Sequence, residues 1–407
     1  MSRRSRTVAS IDIGTSKISV TIGEVTRDGI DIIGTGSHPS LGIKKGRIIN
    51  MDSTMDSIKT ALEEAEAMTG IEIKSAIVGI SGGHIEGIKN NGVVAVKGKE
   101  VKKSDITNAI DAAKAIVIPM DREVIHILPQ EFLVDDRGGI KDPLGMSGLR
   151  LEARTYIITG AISTINNIIK CVNKNGVKVQ ELVLKPMASA ESVLTDDEKE
   201  LGSVLIEIGG GTTDIIIIIK GTIRHFATFP IGGDHVTSDI AIGARTPISE
   251  AEEIKKKHGN ASSRGISEDA VIESTSIGNK KSQTISQKTV TQIIEARVEE
   301  TFELIKKEIT AAGYIDRLPA GVILTGGTSQ LKGIAKKAQD ILKIPVRIGS
   351  PTNIEGINEI KNPVFATGTG MIKLASKGNL NNFNSKGKVN NLLNCFHKIN
   401  DWFKEAF

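Results

Sequence analysis

The sequence predicts an α/β protein of two similar lobes, and three stretches predict it. In the first, residues 203–232, an apolar strand from Val204 to Ile208 runs into Gly209, Gly210, Gly211, Thr212, Thr213 and Asp214. The isoleucine run Ile215 to Ile219 follows, then a Lys220-Gly221 turn and a third strand to Phe229. β-Branched runs bounded by glycine turns predict a β-meander. The second stretch repeats this plan at the N-terminus. There a strand from Val8 to Ile13 ends in Asp12-Ile13-Gly14-Thr15-Ser16-Lys17, Ile18 to Val25 leads out, and Ile30 to Gly34 returns. The third is a buried strand from Gly321 to Thr325 that enters Gly326-Gly327-Thr328 ahead of a helix.

The chemistry of these turns points to one ligand class. Glycines without a Cβ let a ligand meet several backbone N–H groups at once. The hydroxyls of Thr15, Ser16, Thr212 and Thr213 add donors, and Asp12, Glu207 and Asp214 place carboxylates beside them. That set suits a polyphosphate with its metal ion. A supersecondary unit that recurs half a chain apart marks an internal duplication, and two such turns facing each other would clamp a nucleotide from both sides.

In chain order, a helix is predicted over 53–69 with Ile58, Leu62, Ala65 and Met68 on its core face, then a strand over 73–80. That strand ends in Gly79-Ile80-Ser81-Gly82-Gly83, a formal match to a hydrolase nucleophile elbow. The elbow requires a helix after its serine, and the following residues read as turn and strand, so it is set aside. Residues 85–161 read as an inserted α+β module, with a helix capped at Ser104-Asp105 and a long polar loop from Asp135 to Gly148. A helix over 163–174, a strand from Val177 to Leu184, a helix of small residues from Lys185 and an acidic loop from Asp196 to Glu200 lead to the central meander. Beyond it lie a helix carrying Glu252 and Lys255, a polar segment with strand-like runs, and a long amphipathic helix over 289–311. A helix from Gln330 to Leu342 and a second small-residue helix from Pro363 to Ala375 complete the pattern.

Residues 376–391 are rich in Asn, Gly, Ser and Lys and read as a linker; as a flexible coil it would span roughly 20–25 Å. Residues 392–407 place Leu392, Phe396, Ile399, Phe403 and Phe407 on one helical face, with Leu393, Trp402 and Lys404 beside them. Such a helix is too short to span a bilayer but suited to lying in its interface. No apolar run approaches a membrane span, and the first residues lack a signal-peptide core. A net charge of +4 with acids and bases interspersed gives no nucleic-acid footprint. Cys171 and Cys395 are too far apart in sequence to suggest a disulfide framework. The P-loop pattern is absent.

The order of these pieces resembles the actin-like ATPases. Asp12-x-Gly14-Thr15 is similar to their first phosphate motif, Glu207-x-Gly209-Gly210-Gly211-Thr212 to the second, and Gly326-Gly327 to the adenosine motif. The helices from Lys185 to Leu194 and from Pro363 to Ala375 resemble their two connecting helices. With an insert at 85–161 and the segments PQEFLVDDRGGIKDPLGMSGLRLEA, IEIGGGTTDI, VILTGGTSQLKGI and NDWFKEAF, the resemblance narrows to the FtsA family of bacterial cell-division proteins.

The resemblance implies an actin-like, ribonuclease H-like duplicated fold. Its subdomains are 1A (1–84 and 162–198), 1C (85–161), 2A (199–245 and 319–375, with a return helix to 1A) and 2B (246–318). It implies ATP and Mg²⁺ as cofactors. ATP would be held by Asp12, Gly14, Thr15, Ser16, Lys17, Glu207, Gly209, Gly210, Gly211, Thr212, Thr213, Glu252, Lys255, Gly326, Gly327 and Thr328. Asp12 and Glu207 would hold the metal through water. It implies self-assembly into filaments, binding of the FtsZ tail through 2B, contact with late division proteins through 1C, and a peripheral place on the cytoplasmic face of the inner membrane at the division site. One departure is Glu207, where the family's second phosphate motif commonly has aspartate; it leads to an expectation of slow hydrolysis, and no catalytic base is assigned. A pilus-assembly protein of the PilM type and a sugar kinase or phosphatase on the same fold are the alternatives.

Overall fold

The computed structural model describes residues 6–26, 29–277 and 282–377. The N-terminal meander forms as β1 (Arg6–Ile13), β2 (Lys17–Val25) and β3 (Ile30–Pro39). A small hairpin, β4 (Ile43–Lys44) and β5 (Arg47–Ile48), precedes α1 (Met51–Thr69) and β6 (Ser75–Ile80). Asn50 caps α1 by accepting from the Ser53 N–H. The helix lies directly on β3 because Gly34 and Gly36 lack side chains; a Cβ on Gly36 would stand 2.0 Å from Ala61 O. Met68, expected in the core, is 55% exposed, since it falls in the last turn of the helix, beyond the covered face.

The insert consists of β7 (Ile85–Ala95), α2 (Lys103–Ala113), β8 (Arg122–Val134), β9 (Arg137–Ile140) and β10 (Arg150–Ala161). Its sheet, in the order β7-β10-β8-β9, is antiparallel, and α2 covers it over Gly92. Ile106, Ala109, Ile110, Phe132, Leu151 and Ile157 are among the residues of its own core. Part of the expected polar loop is β9.

The chain returns through α3 (Ile162–Lys174), β11 (Lys178–Leu184), α4 (Lys185–Val193) and α5 (Asp196–Leu201). The expected acidic loop is therefore a helix. Thr195 and Glu198 form a capping box at its start, and acids in the first turn suit the helix dipole.

The second lobe opens with β12 (Ser203–Ile208), β13 (Thr213–Ile219), β14 (Thr222–Phe229), α6 (Gly233–Gly243) and α7 (Ile248–His258). A two-stranded ribbon, β15 (Val271–Thr275) and β16 (Ser282–Ser286), leads into α8 (Gln287–Ala311), β17 (Val322–Thr325), α9 (Ile334–Leu342), β18 (Val346–Ile348) and β19 (Glu355–Gly356). The last described element is α10 (Ala366–Lys377), which takes in the first residues of the expected linker. The rest of that linker and the expected amphipathic helix 392–407 lie outside the described residues. Among the described residues, no helix is long and apolar enough to cross a membrane.

The duplication extends from motif to sheet. The first lobe is ordered β11-β6-β1-β2-β3-β19 and the second β18-β17-β12-β13-β14. In each, two antiparallel pairs of the meander adjoin two parallel strands. Asp12 and Glu207 therefore occupy equivalent positions, near the ends of β1 and β12.

The lobes meet along two connections. The helices α4 and α10 cross in backbone contact: a Cβ on Gly370 would lie 1.8 Å from Ala188 O. Across that contact Ser192 Oγ pairs with Thr369 Oγ1 at 2.8 Å. On another side, the insert reaches the edge strand β14. The Phe226 N–H donates to Tyr156 Oη (3.1 Å) and Gln130 Nε2 donates to Ile223 O (2.7 Å). Side chains from the insert thus cover the edge of the second lobe's sheet, where open backbone groups would otherwise remain.

Candidate functional site

The two phosphate turns face each other in contact. An ideal Cβ on Gly210 would lie 1.6 Å from Ser16 Oγ, and one on Gly211 would lie 2.6 Å from Thr15 Oγ1. Only glycine fits this approach. Ser16 Oγ donates to Asp234 Oδ1 (3.1 Å), and Thr15 Oγ1 accepts from the Gly46 N–H (3.1 Å). Gly14 closes the first turn through its N–H to Lys17 O at 3.0 Å. Gly209 closes the second on Thr212 O, and α6 starts against it, with Gly233 N donating to Gly209 O and Asp234 N to Gly210 O. Among the described residues, no turn or loop bond takes the N–H of Thr15, Ser16, Gly210 or Gly211. These four groups form the donor set of an anion cradle.

The third turn joins this site from the side. Thr328 Oγ1 donates to Gly209 O (2.9 Å). Lys255 Nζ reaches Gly233 O (3.1 Å), Thr237 Oγ1 (2.9 Å) and Glu252 Oε2 (2.6 Å). Burial alone would push the Glu252 carboxyl up, but hydrogen bonds from Lys255 and Thr237 hold it below its ordinary value. Gly326 sits at φ 85°, and a Cβ there would be 2.7 Å from Ile208 O. Gly327 has open space beside it, with only Val364 Cγ2 at 3.9 Å. Lys17 reaches across to stack over the Phe365 ring, 4.3 Å from its centre. Burial lowers its ammonium pKa, against the pull of Asp12.

The structure reassigns some of the expected groups. Thr213 is fully buried and donates to Ile231 O at 2.8 Å, so it supports the turn rather than lining its mouth. Glu207 has both oxygens engaged: Ser189 Oγ donates to Oε2 and Thr367 Oγ1 to Oε1, each at 2.7 Å. Among the described residues, no group of three or more His, Cys, Asp or Glu side chains could hold a metal ion by itself.

One charged residue of the site, Lys185, carried no local signal. Lys185 Nζ ion-pairs with Asp12 Oδ1 at 2.7 Å and donates to Ile13 O at 2.6 Å, which makes it the buried cation of the cleft floor. Asp214 is buried and accepts from Thr228 Oγ1 at 2.6 Å. Burial raises its carboxyl, with Thr228 and Lys185 pulling back. Glu207 is pushed up to about 7 by burial, then by the neighbouring Asp214 and Asp12. Proton counting agrees with that direction. Ser189 and Thr367 also touch each other at 2.9 Å, so the ring has three contacts while the two hydroxyls supply two protons; a protonated Glu207 closes the ring by donating to one hydroxyl, which donates to the other, which donates back to the carboxyl.

The site sits on a duplicated actin-like scaffold, and the comparisons agree with that. A family model described as "SHS2 domain inserted in FTSA" matches residues 82–159, and one described as "Cell division protein FtsA" matches residues 204–370. A cell division protein FtsA of Pseudomonas aeruginosa is 44% identical over 367 residues, covering 90% of this chain and 88% of the relative.

The chain belongs to the FtsA family of cell-division proteins.

The FtsA of Escherichia coli K12 is 35% identical over 411 residues, covering 98% of each chain. Among solved structures, the PilM-PilN type IV pilus biogenesis complex aligns with TM-score 0.65 at 16% identity, covering 91% of this chain and 98% of that one. MreB5 of Spiroplasma citri bound to ADP aligns with TM-score 0.53 at 15% identity, covering 91% and 98%. At those identities the likeness is one of fold, and the likeness to PilM carries no pilus function to an FtsA-family chain.

Proposed function

We propose that this FtsA-family protein binds ATP with Mg²⁺ between its lobes, assembles into filaments, and tethers FtsZ to the cytoplasmic face of the inner membrane while recruiting later division proteins. The observation that carries the nucleotide reading is the facing pair of turns, where among the described residues no turn or loop bond takes the N–H groups of Thr15, Ser16, Gly210 and Gly211. In this reading Gly326, Gly327, Glu252 and Lys255 seat the adenosine. Mg²⁺ would arrive with the triphosphate, offsetting its charge and keeping most of its water, with Asp12 beside Lys185 and Asp234 beside Ser16 as carboxylates at the turns. Slow turnover is the reading that goes with Glu207 in the second phosphate motif, where the family commonly has aspartate.

The membrane reading rests on the sequence of residues 392–407, whose apolar stripe Leu392, Leu393, Phe396, Ile399, Trp402, Phe403 and Phe407 sits beside Lys404. FtsZ contact through 2B and late-protein contact through 1C are carried over from the resemblance to the family. The experiment is vesicle co-sedimentation of FtsZ with the full chain or with a chain truncated after Lys388. The proposal expects FtsZ and the full chain to pellet together and neither to pellet with the truncated chain. Pelleting that survives the truncation, or a full chain that stays in solution, would refute the tether.

A further inference from the structure

We propose that Glu207 is a positioning residue: through Ser189 and Thr367 it pins the crossing of α4 and α10 to the end of β12, and so holds the Gly209–Gly211 turn against Thr15 and Ser16. The inference stands on the ring geometry and does not depend on which nucleotide the cleft takes.

Each member of the ring comes from a different element. Ser189 lies on α4, Thr367 on α10 and Glu207 on β12. All three contacts are short, at 2.7, 2.7 and 2.9 Å, and Ser189 and Thr367 are buried at 0% and 2% exposure. The two helices already touch through Ala188 and Gly370. The Ser192–Thr369 pair gives that approach one directional contact within the two helices, but it does not tie the crossing to the sheet. The ring supplies directional contacts at one point of the crossing. Glu207 is also two residues from Gly209, the start of the phosphate turn, so a movement of the crossing is passed to the turn with little slack.

Side-chain length decides the fit. Aspartate is shorter by one C–C bond, roughly 1.5 Å, and from the same backbone it cannot hold both hydroxyls at hydrogen-bond distance. Glutamine keeps the length and brings both a donor and an acceptor, so it can close the same three-contact ring. The facing charged groups are Asp12 on β1, Asp214 on β13 and Lys185 on α4. Neutral glutamine sits among them without adding a further negative charge. A residue needed only for its charge would show the opposite order, with aspartate tolerated and glutamine not.

Hydrogen exchange on the full chain tests this, comparing wild type with Glu207→Gln, Glu207→Asp, Ser189→Ala and Thr367→Val, with circular dichroism confirming that each is folded. Exchange at pH 5 in peptides covering 185–193, 209–213 and 366–377 should match wild type in Glu207→Gln. It should quicken about tenfold in the other three, the effect of losing one buried hydrogen bond from a locally opening unit. Two results would overturn the proposal: wild-type protection in Glu207→Asp, or deprotection in Glu207→Gln equal to that in Glu207→Asp. The two hydroxyl variants keep the test decisive should Glu207→Asp fail to fold.

Discussion

Adding one methyl group at Gly210 should separate the two lobes. A Cβ there would lie 1.6 Å from Ser16 Oγ, 2.9 Å from Ser16 Cβ and 2.9 Å from Asp234 Oδ1. Rotating Ser16 relieves the first contact but leaves the other two, so the turns must part by roughly 0.5 Å to reach ordinary carbon contact. Gly210 is not among the glycines with positive φ, so backbone strain adds nothing and the effect is steric. Overpacking of this kind costs about 1–3 kcal/mol, which is about a 5- to 150-fold loss of affinity for a ligand that needs the closed arrangement. Titration of a fluorescent ATP analogue into Gly210→Ala reads the loss. In the double variant Gly210→Ala, Ser16→Gly, the two effects should fall well short of additive, because the second change removes both contacts with the facing turn and leaves only the Asp234 side chain to move. Gly83→Ala is the control: nothing lies within 4 Å of its Cβ. Wild-type affinity in Gly210→Ala, or additive losses in the double variant, would refute the contact between the turns.

Three further outcomes follow from buried polar groups. Lys185→Met leaves Asp12 without its cation and should lower stability to urea by about 3–5 kcal/mol. Tyr156→Phe strands the buried N–H of Phe226 and should cost about 1–3 kcal/mol in the same assay; no loss would mean that the insert does not brace β14. The third concerns pH. The Glu207 carboxyl is raised from 4.5 to about 7, so the folded chain holds the extra proton between those values. Its contribution to stability is complete below about 4.5 and is lost as pH rises to about 7, by about 3 kcal/mol in all. Wild type measured against Glu207→Gln should therefore lose ground between pH 5 and pH 8. His84 and His126, buried and pushed down to about 4, act in the opposite sense in both chains as pH falls below about 6.5, and cancel in that difference.

The turns were legible because their physics is local. Glycine runs, β-branched strands and the acid-x-Gly repeat announce a meander and a close approach wherever they occur, and the strands of both meanders formed where they were read, with β3 running on to Pro39. The long strand β7 was only half legible: Lys89, Asn90 and Asn91 interrupt the apolar pattern, and its pairing with β10 overrides weak propensity. Lys185, Ser189 and Thr367 were not legible as site residues. On a helix of small side chains, a serine or threonine reads as packing, and its partner lies far away in sequence; Thr367 is 160 residues from Glu207. Glu207 shows the same limit from the other side. Its motif points to the phosphate, while its side chain is claimed by two helices that a local reading does not bring together.

The central claim is that the facing turns hold Mg²⁺-ATP. Calorimetric titration of Mg²⁺-ATP into the wild-type chain and into Asp12→Ala tests it most directly, with circular dichroism confirming both folds. The account predicts a single site per wild-type chain and at least a tenfold weaker one in Asp12→Ala, about the loss expected when a buried group facing the ligand is removed. No saturable heat in the wild type, or equal affinity in the two chains, would contradict it.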